Sequence, residues 1–352
     1  MIDLFIPGRL CLFGEHSDWA GAWRAHSQDI ERGEAIVTGI PLGLYATASR
    51  DELFQLENSD GSRFQSPMSE VLDEVAAQGG FDSYAAGTAA YMREKYPWVA
   101  GASIHIRRQT LPVKRGLSSS AAVCLLVARA FNRLYGLNMN LEDEMLAAYR
   151  GERRTPSLCG RMDQALAHGV RPVHMVFDGA CVETQALAIG GDFHIVMANL
   201  MSAKDTVLIL ETLQRAYPRP EGALQAALHR ALGEDNLRIV RRARTLMEVG
   251  DARALGDLMN EAQALFDEKV APLCPEELTA PALHAALNDG EIKKWIYGGK
   301  GVGSGGDGSV QFVARDEACQ RQLAQYLRQA RGMEVFELTL PRAARIDLDA
   351  PA

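Results

Sequence analysis

The feature that most constrains the fold is a glycine and three serines that open a long apolar helix pattern. The segment reads Gly116-Leu117-Ser118-Ser119-Ser120-Ala121-Ala122, and apolar residues at helical spacing continue to Phe131. Small residues let backbone N–H groups approach an anion, the helix dipole favours negative charge there, and hydroxyls add donors or a magnesium ligand. A buried helix with an ordinary N-cap has a similar sequence, so this segment alone leaves both interpretations open.

Two further segments favour the anion site. Residues 7–13 read as an apolar strand, which ends at Gly14 and is followed by Glu15, His16 and Asp18. A strand that delivers three ionisable side chains within four residues is typical of a site. Residues 298–308 contain seven glycines between two strand-like stretches, and such a loop gives up side-chain packing so that backbone can approach a ligand.

In chain order the three segments are residues 7–18, 116–122 and 298–308. They resemble the motifs of the GHMP kinase superfamily, which includes galactokinase, homoserine kinase, mevalonate kinase and phosphomevalonate kinase. The family motifs are Pro-Gly-Arg with Gly-Glu-His, then Gly-Leu-Ser-Ser-Ser-Ala, then a C-terminal Gly-x-Gly-x-Gly-Gly loop. Residues 149–152, 159–164 and 250–260 also follow the family's order, so the resemblance covers most of the chain.

The resemblance implies an α+β fold of the GHMP kinase type with two lobes. We expect an N-terminal α/β domain at residues 1–200, which carries the ATP and substrate motifs and a left-handed crossover. A mostly helical C-terminal domain with a small sheet is expected at residues 201–352. A chain of 352 residues can bury a core large enough for two lobes.

Apolar periodicity agrees with this division, because strands dominate before residue 200 and helices after it. Predicted strands lie near residues 4–13, 36–50, 102–108, 173–177, 182–187, 193–198, 294–298, 309–314 and 333–340. Predicted helices lie near residues 118–135, 140–153, 160–168, 206–216, 223–232, 236–247 and 252–266.

Composition excludes several other classes of protein. A net charge of −8 argues against nucleic acid as a partner. The six cysteines show no C-x-x-C spacing, which argues against a zinc site or a disulfide framework. No apolar run is long enough to span a membrane and the N-terminus lacks signal-peptide character, so we expect a cytoplasmic protein. The sequence does not decide between a monomer and a homodimer.

The resemblance implies ATP and Mg²⁺ as cofactors. Phosphate-binding positions are Gly116, Leu117, Ser118, Ser119, Ser120 and Ala121, together with Gly301, Gly303, Gly305 and Gly306 of the C-terminal loop. The Ser120 hydroxyl and the Glu152 carboxylate take the positions of the magnesium ligands, and oxygen donors suit this hard cation. Glu152 could instead be a solvated helix charge among neighbouring arginines.

Asp163 takes the position of the residue that accepts a proton from the substrate hydroxyl or orients that hydroxyl. Arg9 takes the position of the basic residue beside that aspartate, where it stabilises charge on the transferring group. An isolated aspartate at a helix start is usually only a cap. The surrounding motif favours catalysis.

Substrate identity depends on Glu15, His16 and Asp18. Galactokinase-like sugar kinases carry Gly-Glu-His-Thr-Asp-Tyr, and Gly-Glu-His-Ser-Asp-Trp here is similar. Carboxylates accept hydrogen bonds from sugar hydroxyls, and an aromatic ring can cover a sugar face. His16 could also be a core histidine bonded to backbone, and Trp19 could serve packing alone.

Three features depart from the family pattern. Residues 22–35 form a polar insertion that could act as a substrate lid, and the glycine loop carries Lys300 and Asp307. An acidic side chain beside bound phosphate would repel it, so we expect Asp307 to point away or to bond backbone amides.

The glycine loop also fits the dinucleotide-binding pattern, as Gly301-x-Gly303-x-x-Gly306. A strand-like segment follows this loop, however, where the dinucleotide fingerprint requires a helix.

The sequence therefore predicts an ATP- and Mg²⁺-dependent kinase of a small-molecule substrate, which we expect to be a sugar. The expected acceptor is the anomeric hydroxyl of that sugar, as in the sugar 1-kinases of the family. One alternative is a kinase of a non-sugar alcohol such as mevalonate. The other is a catalytically silent relative that binds sugar and nucleotide as a sensor, against which the joint presence of Arg9, Ser120, Glu152 and Asp163 argues.

Overall fold

The computed structural model describes residues 1–111, 117–157 and 159–342. Strands and helices are mixed along this part of the chain, which confirms the predicted fold class. The strands are β1 (Ile2–Phe13), β2 (Gly33–Asp51), β3 (Phe54–Glu57), β4 (Arg63–Ser66), β5 (Gly101–Gln109), β6 (Pro172–Asp178), β7 (Cys181–Ala186), β8 (Phe193–Asn199), β9 (Ile296–Gly301), β10 (Ser309–Ala314) and β11 (Glu334–Leu340).

The α-helices are α1 (Ser17–Ala22), α2 (Val71–Gln78), α3 (Phe81–Lys95), α4 (Ser119–Tyr135), α5 (Leu141–Glu152), α6 (Thr206–Ala216), α7 (Ala223–Arg230), α8 (Asn236–Val249), α9 (Ala252–Lys269), α10 (Pro275–Leu278), α11 (Pro281–Leu287) and α12 (Glu317–Arg331). A π-helical turn at Ala231–Asp235 joins α7 to α8. The helix predicted at residues 160–168 is a shorter 3-10 helix, Asp163–His168.

Contacts group the chain into two compact units, each built from two stretches. Unit 1 comprises Met1–Arg9 and Thr38–Val170, and unit 2 comprises Leu10–Val37 and the described residues from Arg171 to Arg342. Each unit therefore combines segments that are far apart in the sequence. The division of the chain into domains at residue 200 stays a prediction.

The sheet of unit 1 contains both antiparallel and parallel pairs of strands. Its strands follow the order β4, β3, β5, β2, and β1 also pairs with β2. Strand β5 is antiparallel to β2 and parallel to β3. Helices α3, α4 and α5 pack against one another, and every residue of α4 from Ala121 to Phe131 is buried.

A close helix contact positions the end of α5. A Cβ atom added to Gly151 would lie 2.3 Å from the Oγ1 atom of Thr88 on α3, so only glycine allows this approach. The next residue, Glu152, is the last of α5 and is consequently held deep in unit 1.

Unit 2 contains the β6–β7 hairpin and a four-stranded antiparallel sheet in the order β11, β8, β10, β9. One apolar core joins this sheet to α11 and α12 and includes Val196, Phe312 and Leu323. A second core is built around Leu213 of α6 and Tyr217, the residue that follows this helix. The hairpin of β9 and β10 carries the glycine-rich loop.

None of the helices in the described ranges has the length and apolar character needed to cross a bilayer.

Candidate active site

An ion pair joins the start of the chain to the 3-10 helix in unit 1. The guanidinium Nε of Arg9 donates to Asp163 Oδ1 at 2.9 Å, and Nη2 of Arg9 donates to the same oxygen. The exposed fractions of the two side chains are 12% and 23%. The structure therefore brings together the two residues that the sequence predicts as the catalytic pair.

Glu152 lies close to this pair and is only 1% exposed. Burial raises the pKa of its carboxyl to about 7, and the nearby Asp163 carboxylate adds to the rise, while hydrogen bonds with Ser120, Cys159 and Ser157 oppose it. Gln164 Nε2 also donates to Glu152 Oε2 at 3.3 Å. The alternative of a solvated helix charge is wrong, because the carboxyl group is enclosed.

The serine-rich segment begins α4 as the sequence predicts. Leu117 is buried, and Ser118 adopts the left-handed conformation, with φ 60° and ψ 49°, immediately before the helix starts at Ser119. The Ser118 Oγ atom is buried and has no hydrogen-bond partner in the ranges that the structure describes. Gly116 lies outside those ranges. Helix α4 thus starts without a side-chain cap, which leaves its first N–H groups available to an anion.

The oxygen donors of unit 1 fit a divalent cation. The Glu152 carboxyl faces the Asp163 carboxylate and bonds the Ser120 hydroxyl, and Glu152 has no cationic partner among the described residues. A buried carboxyl in this position is costly unless a cation compensates it. The described residues contain no group of three or more His, Cys, Asp and Glu side chains that could hold a metal. A small donor set of this kind suits Mg²⁺, which binds one or two protein carboxylates together with phosphate oxygens.

A second group of predicted residues lies in unit 2, where β1 ends. Gly14 turns the chain with φ 92°, and Glu15 follows it. Glu15 Oε1 accepts a hydrogen bond from the Lys300 ammonium, which also donates to the Gly301 carbonyl at 2.9 Å. The exposed fractions of the Lys300 and Glu15 side chains are 7% and 13%. Lys300 therefore neutralises and holds the carboxylate that the sequence predicts as a substrate ligand.

His16 is bonded within the protein through both ring nitrogens. Nδ1 accepts from the Trp19 indole at 3.1 Å, and Nε2 lies 3.3 Å from the Ser304 carbonyl oxygen. Because an indole can only donate, the proton of neutral His16 sits on Nε2 and is donated to Ser304. Burial lowers the pKa of His16 to about 4, the bond to Ser304 opposes this, and the ammonium groups of Lys204 and Lys300 lower it further.

This geometry fits the alternative of a neutral core histidine bonded to backbone. The role of His16 in substrate binding stays a prediction. Asp18 lies half-buried in the first turn of α1. Trp19 packs edge-on against the buried Tyr217, which agrees with a packing role for this indole.

The shape of the glycine loop depends on two positions that only glycine can occupy without strain. Gly303 and Gly305 have φ values of +77° and +90°. A Cβ atom on Gly305 would also lie 2.2 Å from the Phe266 ring. Gly301 ends β9, and Gly306 follows Gly305 in the loop.

Asp307 bonds backbone amides, as the sequence predicts. Its Oδ1 accepts from the Leu283 N–H at 2.8 Å, and its Oδ2 accepts from the Ala282 N–H at 3.1 Å. These are the first-turn donors of α11, which has no side-chain cap of its own. The acidic charge is thus used to cap a helix.

The polar insertion at residues 22–35 is anchored within unit 2. Arg24 donates to Asp178 at 2.7 Å and to the Ile30 carbonyl at 2.6 Å. Ile30 is 2% exposed and belongs to the core around Tyr217. The role of this insertion as a substrate lid stays a prediction.

One supporting network was not predicted from the sequence. Glu34 is 2% exposed and bonds His174 at 3.1 Å and Arg241 at 2.9 Å. Burial would raise its pKa, but the bonds from His174 and Arg241 outweigh burial and lower it to about 2. The Glu34 carbonyl accepts from Ser17 Oγ at 2.8 Å and from Asn236 at 3.0 Å. No motif marks these residues; they hold the turn that presents Glu15.

Comparison with known proteins agrees with the motifs. The GHMP kinases N terminal domain family matches residues 83–169. The chain is 26% identical over 344 residues to galactokinase from Streptomyces coelicolor, covering 88% of this chain and 84% of that protein. It is 24% identical over 340 residues to galactokinase from Pyrococcus furiosus, covering 89% of each chain.

Solved structures share the fold. Lactococcus lactis galactokinase complexed with galactose matches with a TM-score of 0.72 at 19% identity, covering 97% of this chain and 93% of that chain. Mevalonate kinase from Methanococcus jannaschii matches with a TM-score of 0.71 at 15% identity, covering 97% and 98%.

The family match includes α4, α5 and the 3-10 helix that carries Asp163, and the galactokinase alignments extend over most of the chain. Residues 83–169 therefore carry a GHMP kinases N terminal domain, and the chain is similar to galactokinases over most of its length. Together these findings indicate an ATP-dependent kinase whose phosphoryl acceptor is a hydroxyl group.

Proposed function

We propose that this protein is a sugar kinase that transfers the γ-phosphoryl group of ATP to a sugar hydroxyl, with the anomeric hydroxyl as the acceptor. The observation that carries the proposal is the arrangement of Arg9, Asp163, Glu152 and Ser120 in unit 1. It combines a carboxylate that can accept a proton, a guanidinium beside it and oxygen donors for a cation. Phosphoryl transfer depends mainly on positioning and charge stabilisation, and these groups supply both.

Asp163 is the residue that orients the acceptor hydroxyl and receives its proton. Arg9 donates twice to one carboxylate oxygen of Asp163 and so fixes the carboxylate orientation. Its delocalised charge also stabilises negative charge that develops on the transferring group. Both side chains are partly buried, which strengthens these interactions relative to solvent.

Ser120 and Glu152 would hold Mg²⁺, and the N–H groups at the start of α4, with Ser118, Ser119 and Ala121, would bind the phosphates. Bound Mg²⁺–ATP supplies the phosphoryl group and an electrophilic, partly neutralised phosphorus. The unpartnered Ser118 Oγ supports this assignment, because a phosphate oxygen would satisfy it. Gly301, Gly303, Gly305 and Gly306 are proposed to approach the phosphates through their backbone.

A sugar acceptor is supported by the sequence after Gly14 and by the galactokinases among the relatives. Glu15 and Asp18 are proposed to accept hydrogen bonds from sugar hydroxyls. The ion pair with Lys300 holds the Glu15 carboxylate in position for this purpose. A cytoplasmic location stays a prediction from the sequence.

Turnover of a substrate panel tests the proposal. ADP release is measured with Mg²⁺–ATP and free aldoses, deoxy sugars, uronic acids, heptose phosphates and mevalonate, and ³¹P NMR identifies the phosphorylated oxygen. The proposal expects one or more sugars to be phosphorylated, and Asp163→Asn serves as the inactive control. Turnover of mevalonate alone would replace it with the alcohol kinase, and ATP and sugar binding without ADP would replace it with the sensor.

A further inference from the structure

A small cavity lies inside unit 2 beside the ion pair of Glu15 and Lys300. Its volume is about 80 Å³, and its walls come from the end of β1, the π-helical turn with α8, helix α9 and the glycine loop. The apolar part of its wall is formed by Phe13, Leu232, Ile239, Leu265 and Phe266. The wall of the cavity is therefore mostly hydrocarbon.

Each polar side chain that reaches the cavity has a partner within the described residues, and Asn236 donates to Ser17 Oγ and to the Glu34 carbonyl. Lys300 is bonded to Glu15, Asp235 is bonded to Lys269 at 2.7 Å, and Gln263 accepts from the Gly301 N–H at 2.7 Å. Such a wall favours an apolar group inside the cavity, whereas the Glu15 carboxylate keeps acceptor capacity for the sugar hydroxyl proposed above.

The size of the cavity limits its occupant to a few atoms. A water molecule takes about 30 Å³ of liquid, so 80 Å³ accommodates about two to four non-hydrogen atoms. A separate molecule of four atoms gains at most about 6 kcal/mol, which is weak binding. The same group attached to a bound substrate would contribute without a second association cost.

The position of the cavity indicates which molecule carries that group. Glu15, Gly301, Gly303 and Gly305 form part of its wall, and these residues are the proposed contacts of the acceptor and the phosphates. A substituent on the acceptor close to the hydroxyl that bonds Glu15 would therefore enter the cavity.

We propose that the cavity is a subsite for a methyl- or acetyl-sized substituent of the acceptor sugar. The inference rests on the proposed sugar kinase function and narrows its substrate class to deoxy and N-acylated sugars. Filling a hydrophobic pocket by one such group changes kcat/KM by about 10- to 200-fold.

Paired substrates test the subsite. The kcat/KM values of galactose, glucose and mannose are compared with those of their N-acetylamino and 6-deoxy counterparts. We expect at least one substituted sugar to exceed its parent by about tenfold or more. If every parent sugar is used as well as its substituted counterparts, the subsite is refuted while the sugar kinase stands. If no sugar is turned over but mevalonate is, the proposed function itself fails.

Three variants tie the preference to the cavity. Ala262→Leu on α9 places a larger side chain in it, and the ratio of substituted to parent sugar is expected to fall about tenfold with the KM for ATP unchanged. Ala264→Leu is the matched control, because Ala264 is exposed on the same helix and does not line the cavity. Ile239→Ala enlarges the cavity and is expected to shift the preference towards a propionyl group. An unchanged ratio in Ala262→Leu, or an unchanged preference in Ile239→Ala, contradicts the assignment.

Discussion

Removal of the Asp307 carboxylate should destabilise unit 2 and loosen the glycine loop. In Asp307→Ala, the N–H groups of Ala282 and Leu283 lose their acceptors. The Leu283 N–H is buried and costs about 1–3 kcal/mol when unsatisfied, whereas water can reach the half-buried Ala282 and reduces its share. Loss of a negative charge at the start of α11 adds about 0.5 kcal/mol. The expected total is about 3 kcal/mol.

Thermal unfolding followed by circular dichroism measures this loss. Unit 2 has about 200 residues, for which each kcal/mol corresponds to about 2–4 °C in Tm, so we expect a decrease of about 6–12 °C. Hydrogen exchange at the Ala282 and Leu283 amides should accelerate in the same variant. Because Asp307 follows Gly306 directly, the KM for ATP should also rise if the loop binds phosphates.

Two control variants separate the cap from a general effect of charge. Asp307→Asn keeps one acceptor oxygen and should lose roughly half as much stability. Asp257→Ala removes an exposed carboxylate from α9 and should leave the Tm unchanged. A Tm for Asp307→Ala within about 1 °C of the wild type, with unchanged amide exchange, would refute the reasoning.

Three further outcomes are expected. Asp163→Asn should lower kcat by about 10²- to 10⁴-fold with little change in ATP affinity; full activity in steady-state assays would remove Asp163 from the mechanism. Lys300→Met should raise the KM of the acceptor by about tenfold or more, because Glu15 loses its cation, while Lys300→Arg retains most affinity; equal KM values in both variants would argue against positioning by charge. The pKa of His16 in the folded protein is lowered from 6.5 to about 4. As the pH falls, the unfolded chain therefore binds the proton before the folded chain does, and the free energy of unfolding should fall by about 2 kcal/mol between about pH 7.5 and pH 5. Urea titrations of His16→Asn should show a shallower fall with pH, and an identical fall would contradict this assignment.

Sequence patterns predict most of the strands and helices that carry the candidate site. Apolar alternation and helical spacing are strong in β1, α4 and β10, and the bounds of α6 were predicted without error. No element was predicted between residues 51 and 101. Strands β3 and β4 have only four residues each, and α3 buries mainly alanine, glycine and serine, so neither shows a clear apolar pattern.

The site was predictable where a local motif carries it and not where distant residues complete it. Pairing of Arg9 with Asp163 follows from the family resemblance, and the amide bonds of Asp307 follow from electrostatics. The bond from Lys300 to Glu15 spans 285 residues of sequence, and the burial of Glu152 depends on the contact of Gly151 with α3. Neither has a signature in the local sequence, because both depend on how the chain packs.

The long separation between Glu15 and Lys300 also constrains how the protein forms during synthesis. At about 5–20 residues per second, a ribosome needs roughly 15 to 60 s to reach Lys300 after Glu15. Throughout that time the apolar end of β1 and the residues up to Val37 lack the later partners that complete unit 2. We therefore expect the nascent chain to expose this segment until its last third emerges, and to depend on chaperones that shield apolar strands.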